Sequence, residues 1–340
     1  MNEAAPTQER VAVMGAGSWG TTFGLVLADA GRDVTIWGRR PEVCDDISTR
    51  HRNSAYLGSL ALPAALKATT DAAAALGGAG VVVLAVPSQT LRENLAQWRD
   101  LIPPDAVLVS LMKGVELGTL RRMSEVISEA TGAGPERIAV ISGPNLALEI
   151  AQRQPTATVV ACEDLAAAER VAHLASAPYL RLYTQTDVVG VELGGAVKNV
   201  IALAVGIAEG MGYGDNSKAS IITRGLTETT RLGLALGAEP ATMAGLAGLG
   251  DLVATCASPL SRNRTFGVHL GRGLSVEEVV GMTRQTAEAV KSCRPILELA
   301  SRHGIEMPIT EQVVAVVHEG LPVWEMTPRL LGRPRKVETA

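Results

Sequence analysis

Up to about Thr184, short runs of β-branched and aliphatic residues alternate with Ala- and Leu-rich stretches. The runs predict strands at Arg10–Met14, Asp33–Trp37, Val81–Val86, Ala106–Ser110, Arg137–Ile141, Ala157–Ala161 and Tyr179–Tyr183. Short apolar runs bounded by turn residues read as strands. The stretches between predict helices, among them Ser18–Ala30, Gln89–Asp100, Thr119–Ala130 and Asp164–Ser176. Strands that alternate with helices make βαβ units, which assemble into a mostly parallel, doubly wound sheet. After about Asp187 the strand runs stop. Long helical patterns follow, broken by glycine clusters at Gly210–Gly214 and Gly245–Gly250, and Ser275 with Glu278 forms a capping-box pair. The expected class is α/β, with a Rossmann-type doubly wound sheet over 10–190 and an all-α domain over 191–327. Residues 1–9 and 328–340 are expected to be disordered or flexible tails.

One apolar segment carries a charge that needs explaining. Gly194–Gly206, GGAVKNVIALAVG, is apolar on nearly every side of a helix, yet holds Lys198 beside Asn199. Lysine is almost never buried without a partner, because desolvating an ammonium is expensive. Asp251, in AGLGDLVATC, has the matching problem. Buried charges that face each other or a polar ligand resolve both. A purely structural Lys–Asp pair is the alternative reading.

Composition narrows the function. The 340 residues are 47% apolar and 19% charged, a globular balance. A formal net charge of −4 argues against a general nucleic-acid binder. The four cysteines, Cys44, Cys162, Cys256 and Cys293, are far apart, and the histidines form no H-E-x-x-H pattern, so no metal site is expected. The uncharged run Ala72–Leu91 contains a Gly-Gly pair and Pro87, and reads as helix end, turn, buried strand and turn rather than a membrane span. The first ten residues are polar and carry no secretory pattern, which makes a cytoplasmic protein the expectation.

The candidate chemistry sits at strand ends. Gly15, Gly17 and Gly20 form G-x-G-x-x-G between the first strand and the first helix. Such a loop lets a pyrophosphate approach the backbone and the helix N-terminus, so a dinucleotide cofactor is expected. At the end of the second strand, where an acid would hold the ribose 2′-hydroxyl of NAD, stand Gly38, Arg39 and Arg40. Arginine pairs with a 2′-phosphate, so NADP(H) is expected to serve at least as well as NAD(H). Solvated loop charges are the other reading. Lys113 and the Gly143–Asn145 turn close two further strands, at the edge where ligands bind in open parallel sheets. Ser261 resembles a helix N-cap with Arg262, Asn263 and Arg264 behind it, an arrangement suited to phosphate.

Taken in order, GAGSWGT, VPSQ, MKG, ISGPN, GGAVKNVIALAVG, ITRG, GLGDLVATC and SRNRTFG resemble the bacterial NAD(P)-dependent glycerol-3-phosphate dehydrogenase family, from about Arg10 to Leu321. The resemblance implies an enzyme that interconverts dihydroxyacetone phosphate and sn-glycerol 3-phosphate for phospholipid synthesis. It also implies a homodimer, while the net charge and the interrupted apolar run point to no nucleic-acid partner and no membrane span. By matching position, it implies cofactor contacts from Ser18, Trp19, Arg39, Arg40, Lys113, Ala147, Arg262, Thr286 and Glu288. Lys113, Gly143, Asn145, Ser261, Arg262 and Asn263 would meet the substrate. Lys198 would be the proton donor and acceptor, with Asn199, Asp251 and Thr255 around it. Thr286 and Ala289 depart from the family's V-V-E-G pattern, and Asn145 stands where Ser or Thr is common. Two rivals remain at this level: a ketopantoate or hydroxyacid reductase, whose substrate carries a carboxylate, and a non-catalytic dinucleotide sensor. The sensor would have no use for Lys198, Asp251 and the Ser261–Arg264 stretch together.

Overall fold

The structure is a computed structural model that describes residues 9–282, 287–334 and 337. Eight strands form one sheet: β1 (Arg10–Met14), β2 (Asp33–Trp37), β3 (Lys67–Thr69), β4 (Val81–Leu84), β5 (Val107–Ser110), β6 (Ile138–Ser142), β7 (Thr156–Ala161) and β8 (Leu180–Gln185). Their order is β3-β2-β1-β4-β5-β6-β7-β8, and every neighbouring pair is parallel except β6 with β7. The expected doubly wound α/β architecture is therefore present. The three-residue β3 was not expected from the sequence, since KAT lacks an apolar run. Alternation sends Val11 and Val13 into one packed layer with Phe23 and Val26, and Ala12 and Met14 into the other with Leu91 and Trp98. The chain departs from β1 toward β2 on one side and returns at β4 on the other, so a crevice opens at the carboxyl ends of β1 and β4.

The helical half is organised on one helix, Val188–Gly210, whose start is capped by Asp187 through Gly190 N–H at 2.8 Å. By length and hydropathy it could cross a membrane, but 94% of its most apolar window is buried inside the protein. It is a core helix. Gly206 and Gly210 face Gly267 and Gly271 of the helix Arg262–Gly271, and a Cβ at any of the four would collide with backbone of the opposing helix. Small residues at this spacing let two helix backbones touch. The sheet half is fastened to this core by Glu192, which is buried and accepts from Arg122 Nη1 (2.7 Å), Ser124 N–H (2.8 Å) and Ser124 Oγ (2.6 Å).

Two expectations at the chain ends need correction. The tail from residue 328 does not fray at once. A helix, Val323–Leu331, runs through Pro328, buries Met326, and is followed by an Arg333–Glu306 pair at 2.9 Å. Val323 and Leu330 pack beside Met326 on the helical core, an anchoring that the polar residues after Leu331 concealed. At the other end Glu9 pairs with Arg170. Residues 1–8, 335, 336 and 338–340 of the expected tails lie outside the described residues.

The glycine crossing yields a first prediction. Gly267→Ala should lower unfolding free energy by about 1–3 kcal/mol, the usual range for overpacking. Gly281→Ala, on an exposed helix position with no described residue within 4 Å of the new Cβ, should be neutral or stabilising by up to about 1 kcal/mol. Denaturant midpoints of the two variants check this, and equal midpoints would remove the steric role of the crossing.

Candidate active site

The crevice at β1 and β4 holds the first group of predicted residues. Gly15 has φ of +139°, and a Cβ there would strike the carbonyl oxygen of Ala85, just past β4. Gly20 is equally confined by Gly15 and Ala85. Gly17 differs: among the described residues a Cβ there would meet nothing within 4 Å. The protein itself gives no steric reason for glycine at Gly17, whereas a phosphate group beside it would. The helix Ser18–Asp29 that follows has no side-chain cap and no acid in its first turn, so its N–H groups and dipole are available to an anion. Asn53, fully buried, donates to the Ala16 carbonyl (3.0 Å) and Thr21 Oγ1 (2.8 Å) and fixes the loop. No sequence signal pointed to Asn53. The Nε1 of Trp19 is buried without a partner. Arg40 lies over the Tyr56 ring at 5.2 Å and near Glu42 at 3.7 Å, while Arg39 is exposed just beyond β2. Tyr56 too was missed, because it lies on a short helix with no motif around it. Ala147 joins this group through its carbonyl, which accepts from Thr22 Oγ1 at 3.2 Å.

The second group centres on Asp251. A π-helical turn, Leu246–Gly250, closed by Gly250 N–H to Gly245 O at 3.0 Å, delivers Asp251 to the start of the next helix. Such turns often accompany functional sites. Gly194 lets the long helix approach this turn so closely that a Cβ would stand 2.5 Å from the Ala247 carbonyl oxygen. One turn on, Lys198 Nζ donates to Asp251 Oδ1 and to Thr255 Oγ1 at 2.8 Å. The other carboxylate oxygen, Oδ2, accepts from Lys113 Nζ at 2.5 Å, and Lys113 also donates to the Gly143 carbonyl at 3.2 Å. Gly195 makes room on the opposite side, since a Cβ there would lie 2.5 Å from Ser142 Oγ. Both side-chain polar atoms of Asn145 and the Oγ of Ser142 are buried with no partner. Unsatisfied buried polar groups are rare in native proteins and suit a site that takes a polar ligand.

The third group adjoins Asn199. Its Nδ2 donates to Glu288 Oε2 at 3.2 Å, and Asn263 Oδ1 accepts from Ala289 N–H at 3.0 Å. Ser261 caps the helix Arg262–Gly271, accepting from Arg264 N–H at 3.3 Å. Arg264 itself is engaged by Glu209 at 2.6 Å. Thr286 lies outside the described residues. Lys198, Asp251, Thr255, Lys113 and Gly143 thus form one hydrogen-bonded cluster, while Asn199 with Glu288 and Asn263 with Ala289 form two further contacts. Ser18, Trp19, Arg39, Arg40 and Ala147 form the other group, at the β1–β2 end of the same sheet edge.

Electrostatics suit Lys198 to proton transfer. Burial pushes its pKa down from 10.5 to about 8; Asp251 opposes that fall, and Lys113 adds to it more weakly. The ammonium and the free amine are then both accessible near neutral pH. The neighbouring Cys256 thiol is pushed up to about 12 by burial, which keeps it protonated.

A glycine loop at the carboxyl edge of a mostly parallel sheet, with a desolvated lysine on a carboxylate in the helical half, fits a dinucleotide-dependent dehydrogenase. Family models agree. The NAD-dependent glycerol-3-phosphate dehydrogenase N-terminus matches residues 10–168 and the corresponding C-terminus matches residues 187–328. The chain belongs to this family. It is 61% identical over 329 residues to a glycerol-3-phosphate dehydrogenase (NAD(P)+) of Streptomyces griseus, covering 97% of this chain and 98% of the relative. A crystal structure of glycerol-3-phosphate dehydrogenase from Coxiella burnetii superposes with a TM-score of 0.92 at 38% identity, over 96% of this chain and 100% of that one. A ketopantoate reductase from Ralstonia eutropha, at 16% identity and a TM-score of 0.59 over 94% of this chain and 99% of that one, shares the fold alone.

A stability prediction follows from the depressed lysine. Between pH 8 and 10.5 the unfolded chain binds more protons at Lys198 than the folded one, so this group's contribution to stability rises with pH across that window. Lys198→Met removes the penalty and leaves Asp251 paired with Lys113. At pH 7 the variant should be more stable than the parent, by a few kcal/mol at most, and the difference should shrink toward pH 10.5. Denaturant melts across this range test it; a gain that stays constant with pH would refute the assignment.

Proposed function

We propose that this chain catalyses the NAD(P)-dependent interconversion of dihydroxyacetone phosphate and sn-glycerol 3-phosphate, with Lys198 as proton donor and acceptor. The observation that carries the residue assignment is the buried Lys198–Asp251–Lys113 cluster, tied to the strand-end loop through the Gly143 carbonyl. The open space at Gly17, the uncapped Ser18–Asp29 helix and the unpaired Trp19 Nε1 fit a bound dinucleotide. Arg39 and Arg40 would hold its adenosine end. When bound, the nicotinamide supplies or accepts the hydride.

In the direction of reduction, negative charge grows on the ketone oxygen. Lys198 as ammonium stabilises that charge and donates its proton to the same oxygen. In oxidation, neutral Lys198 takes the hydroxyl proton, and Asp251 holds the ammonium that results. Thr255 fixes the lysine's orientation through its 2.8 Å bond. Lys113 contributes a second positive charge where substrate and cofactor meet. Ser261, Arg262 and Asn263 receive the substrate phosphate, with Gly143 and Asn145 lining the opposite side. Asn199 and Glu288, hydrogen-bonded to each other, border the same space. The family resemblance supports a cytoplasmic homodimer that supplies glycerol 3-phosphate to phospholipid synthesis. A carboxylate substrate is the weaker reading: the reductase of that type shares the fold at 16% identity, whereas the phosphate-type relative is 61% identical. Oxidation of NADPH and NADH with dihydroxyacetone phosphate, with ketopantoate and with no substrate separates the readings.

Lys198→Ala should reduce kcat by about 10²–10⁴-fold, the usual contribution of a general acid–base, and leave cofactor affinity intact. In the parent, kcat/KM for dihydroxyacetone phosphate should fall as pH rises through about 8, and kcat/KM for glycerol 3-phosphate should rise through the same value. Retained turnover in the variant, or pH limbs of the same sign in both directions, would show that another group moves the proton. Arg39→Ala should weaken NADPH binding by about 1–3 kcal/mol, the range of a charged hydrogen bond, and alter NADH much less. Equal changes in KM for the two cofactors would remove Arg39 from recognition of the 2′-phosphate.

A further inference from the structure

Lys113 reaches Asp251 from outside any strand or helix. β5 ends at Ser110, and the residues from Leu111 to Arg122 form an irregular loop that turns back on itself through Glu116 N–H to Arg121 O at 2.9 Å. A lysine on such a loop has both side-chain and backbone freedom to lose before it can hold a fixed charge position. Directly after Lys113, Gly114 passes so close to Ser88 that a Cβ would stand 2.8 Å from its Oγ. The next residue in the turn Ser88–Thr90 is Gln89. Its Nε2 donates to the Val115 carbonyl at 2.8 Å, and its Oε1 accepts from the Leu117 N–H at 2.9 Å. One side-chain amide thereby does for the loop what a neighbouring strand would do.

We propose that Gln89 is a positioning residue for Lys113: its amide clamps the loop that carries the lysine, so that Nζ is held on the Asp251 carboxylate beside Lys198. This rests on the reading of Lys198 and Lys113 given above. Other restraints act within the Gln89 clamp, at Glu116, and beyond it. Arg92 grips Glu116 at 2.9 and 2.8 Å, Leu120 is buried in the helical core at φ of +61°, and Arg122 is held by Glu192. The Gln89 bond to Val115 acts two residues past Lys113, nearer to the charge than Arg92 at Glu116, and its second bond follows at Leu117. A glutamine is suited to this because it presents a donor and an acceptor together. The charged and titratable groups facing Lys198 are Asp251, Lys113 and the protonated Cys256, with Arg264 acting on Cys256. Of these, Lys113 alone comes from the sheet half. Its displacement removes a positive neighbour from Lys198, and the proton on Lys198 is then held more firmly.

The test is the pH dependence of kcat/KM for dihydroxyacetone phosphate in the full-length enzyme. Gln89→Met, which keeps the shape and removes both bonds, should lower kcat/KM about tenfold, within the range for a misplaced group. It should also move the alkaline limb to higher pH, in the direction of Lys113→Ala and by a smaller step. In a Lys113→Ala background, Gln89→Met should move the limb no further. Arg122→Met, which releases the far end of the loop from Glu192, should lower the melting temperature and leave the limb in place. If Gln89→Met does not fold, Gln89→Asn, with the same amide on a shorter stem, should shift the limb in the same direction. A limb unmoved in the Gln89 variants, or a further shift in the double variant, would overturn the proposal. Should Lys113→Ala be too slow to profile, the limb of the single Gln89 variant decides. Full turnover in Lys198→Ala would instead mark a failure of the underlying reading.

Discussion

The site depends on the carboxylate of Asp251. Each of its oxygens accepts from a different lysine, Lys198 of the long core helix and Lys113 of a loop beyond β5. One negative charge between two positive ones leaves a net positive centre, and that sign suits a phosphorylated substrate whose carbonyl oxygen becomes negative. Buried pairs are poor sources of stability, because desolvation offsets most of the attraction. This cluster is therefore a weak source of stability, and its net positive charge fits the proposed chemistry. It also joins the two halves of the chain, since the sheet supplies one lysine and the helical half supplies the other lysine and the acid.

Glycine makes that arrangement possible. Gly194 admits the turn that carries Asp251, and Gly195 admits Ser142 and the stem of Lys113 from the other side. Gly206 and Gly210 lock the same helix against the one capped by Ser261. The spacing therefore transmits position. The lysine, its carboxylate and the helix capped by Ser261 are all registered against one core helix. Preorganisation of this kind is what lets fixed dipoles and charges act on a transition state without rearranging at the moment of reaction.

Much of this was legible in the sequence, for identifiable reasons. The apolar runs at Arg10–Met14 and Asp33–Trp37 coincide with β1 and β2, because buried parallel strands leave continuous apolar stretches. β3 escaped, since three residues on a sheet edge need no apolar run. Lys198 and Asp251 stood out as charges in apolar surroundings, and they do meet. That Lys113 would share the same carboxylate was not legible, because 138 residues separate them and only the fold brings them together. Asn53, Tyr56 and Ser142 were missed for a different reason. Each is an ordinary polar residue whose importance lies in a partner or an empty hydrogen-bonding position, which composition and spacing do not encode.

The apolar character of the long helix can now be read as part of the chemistry. An unperturbed lysine, with a pKa near 10.4, is almost wholly protonated at neutral pH and is a poor base. Placing a positive neighbour beside it lowers the pKa, but here that neighbour is itself neutralised in part by Asp251. The largest effect on Lys198 is burial, ahead of Asp251 and of Lys113. Burial of that degree requires apolar residues on every side of the helix, including faces that a surface helix would leave polar. The same helix then meets a length-and-hydropathy test for a membrane span while lying in the centre of the protein. Valine, isoleucine, leucine and alanine around Lys198 thus do more than fill a core. They set the dielectric in which an ammonium can lose its proton, while Asp251 keeps that loss from becoming complete.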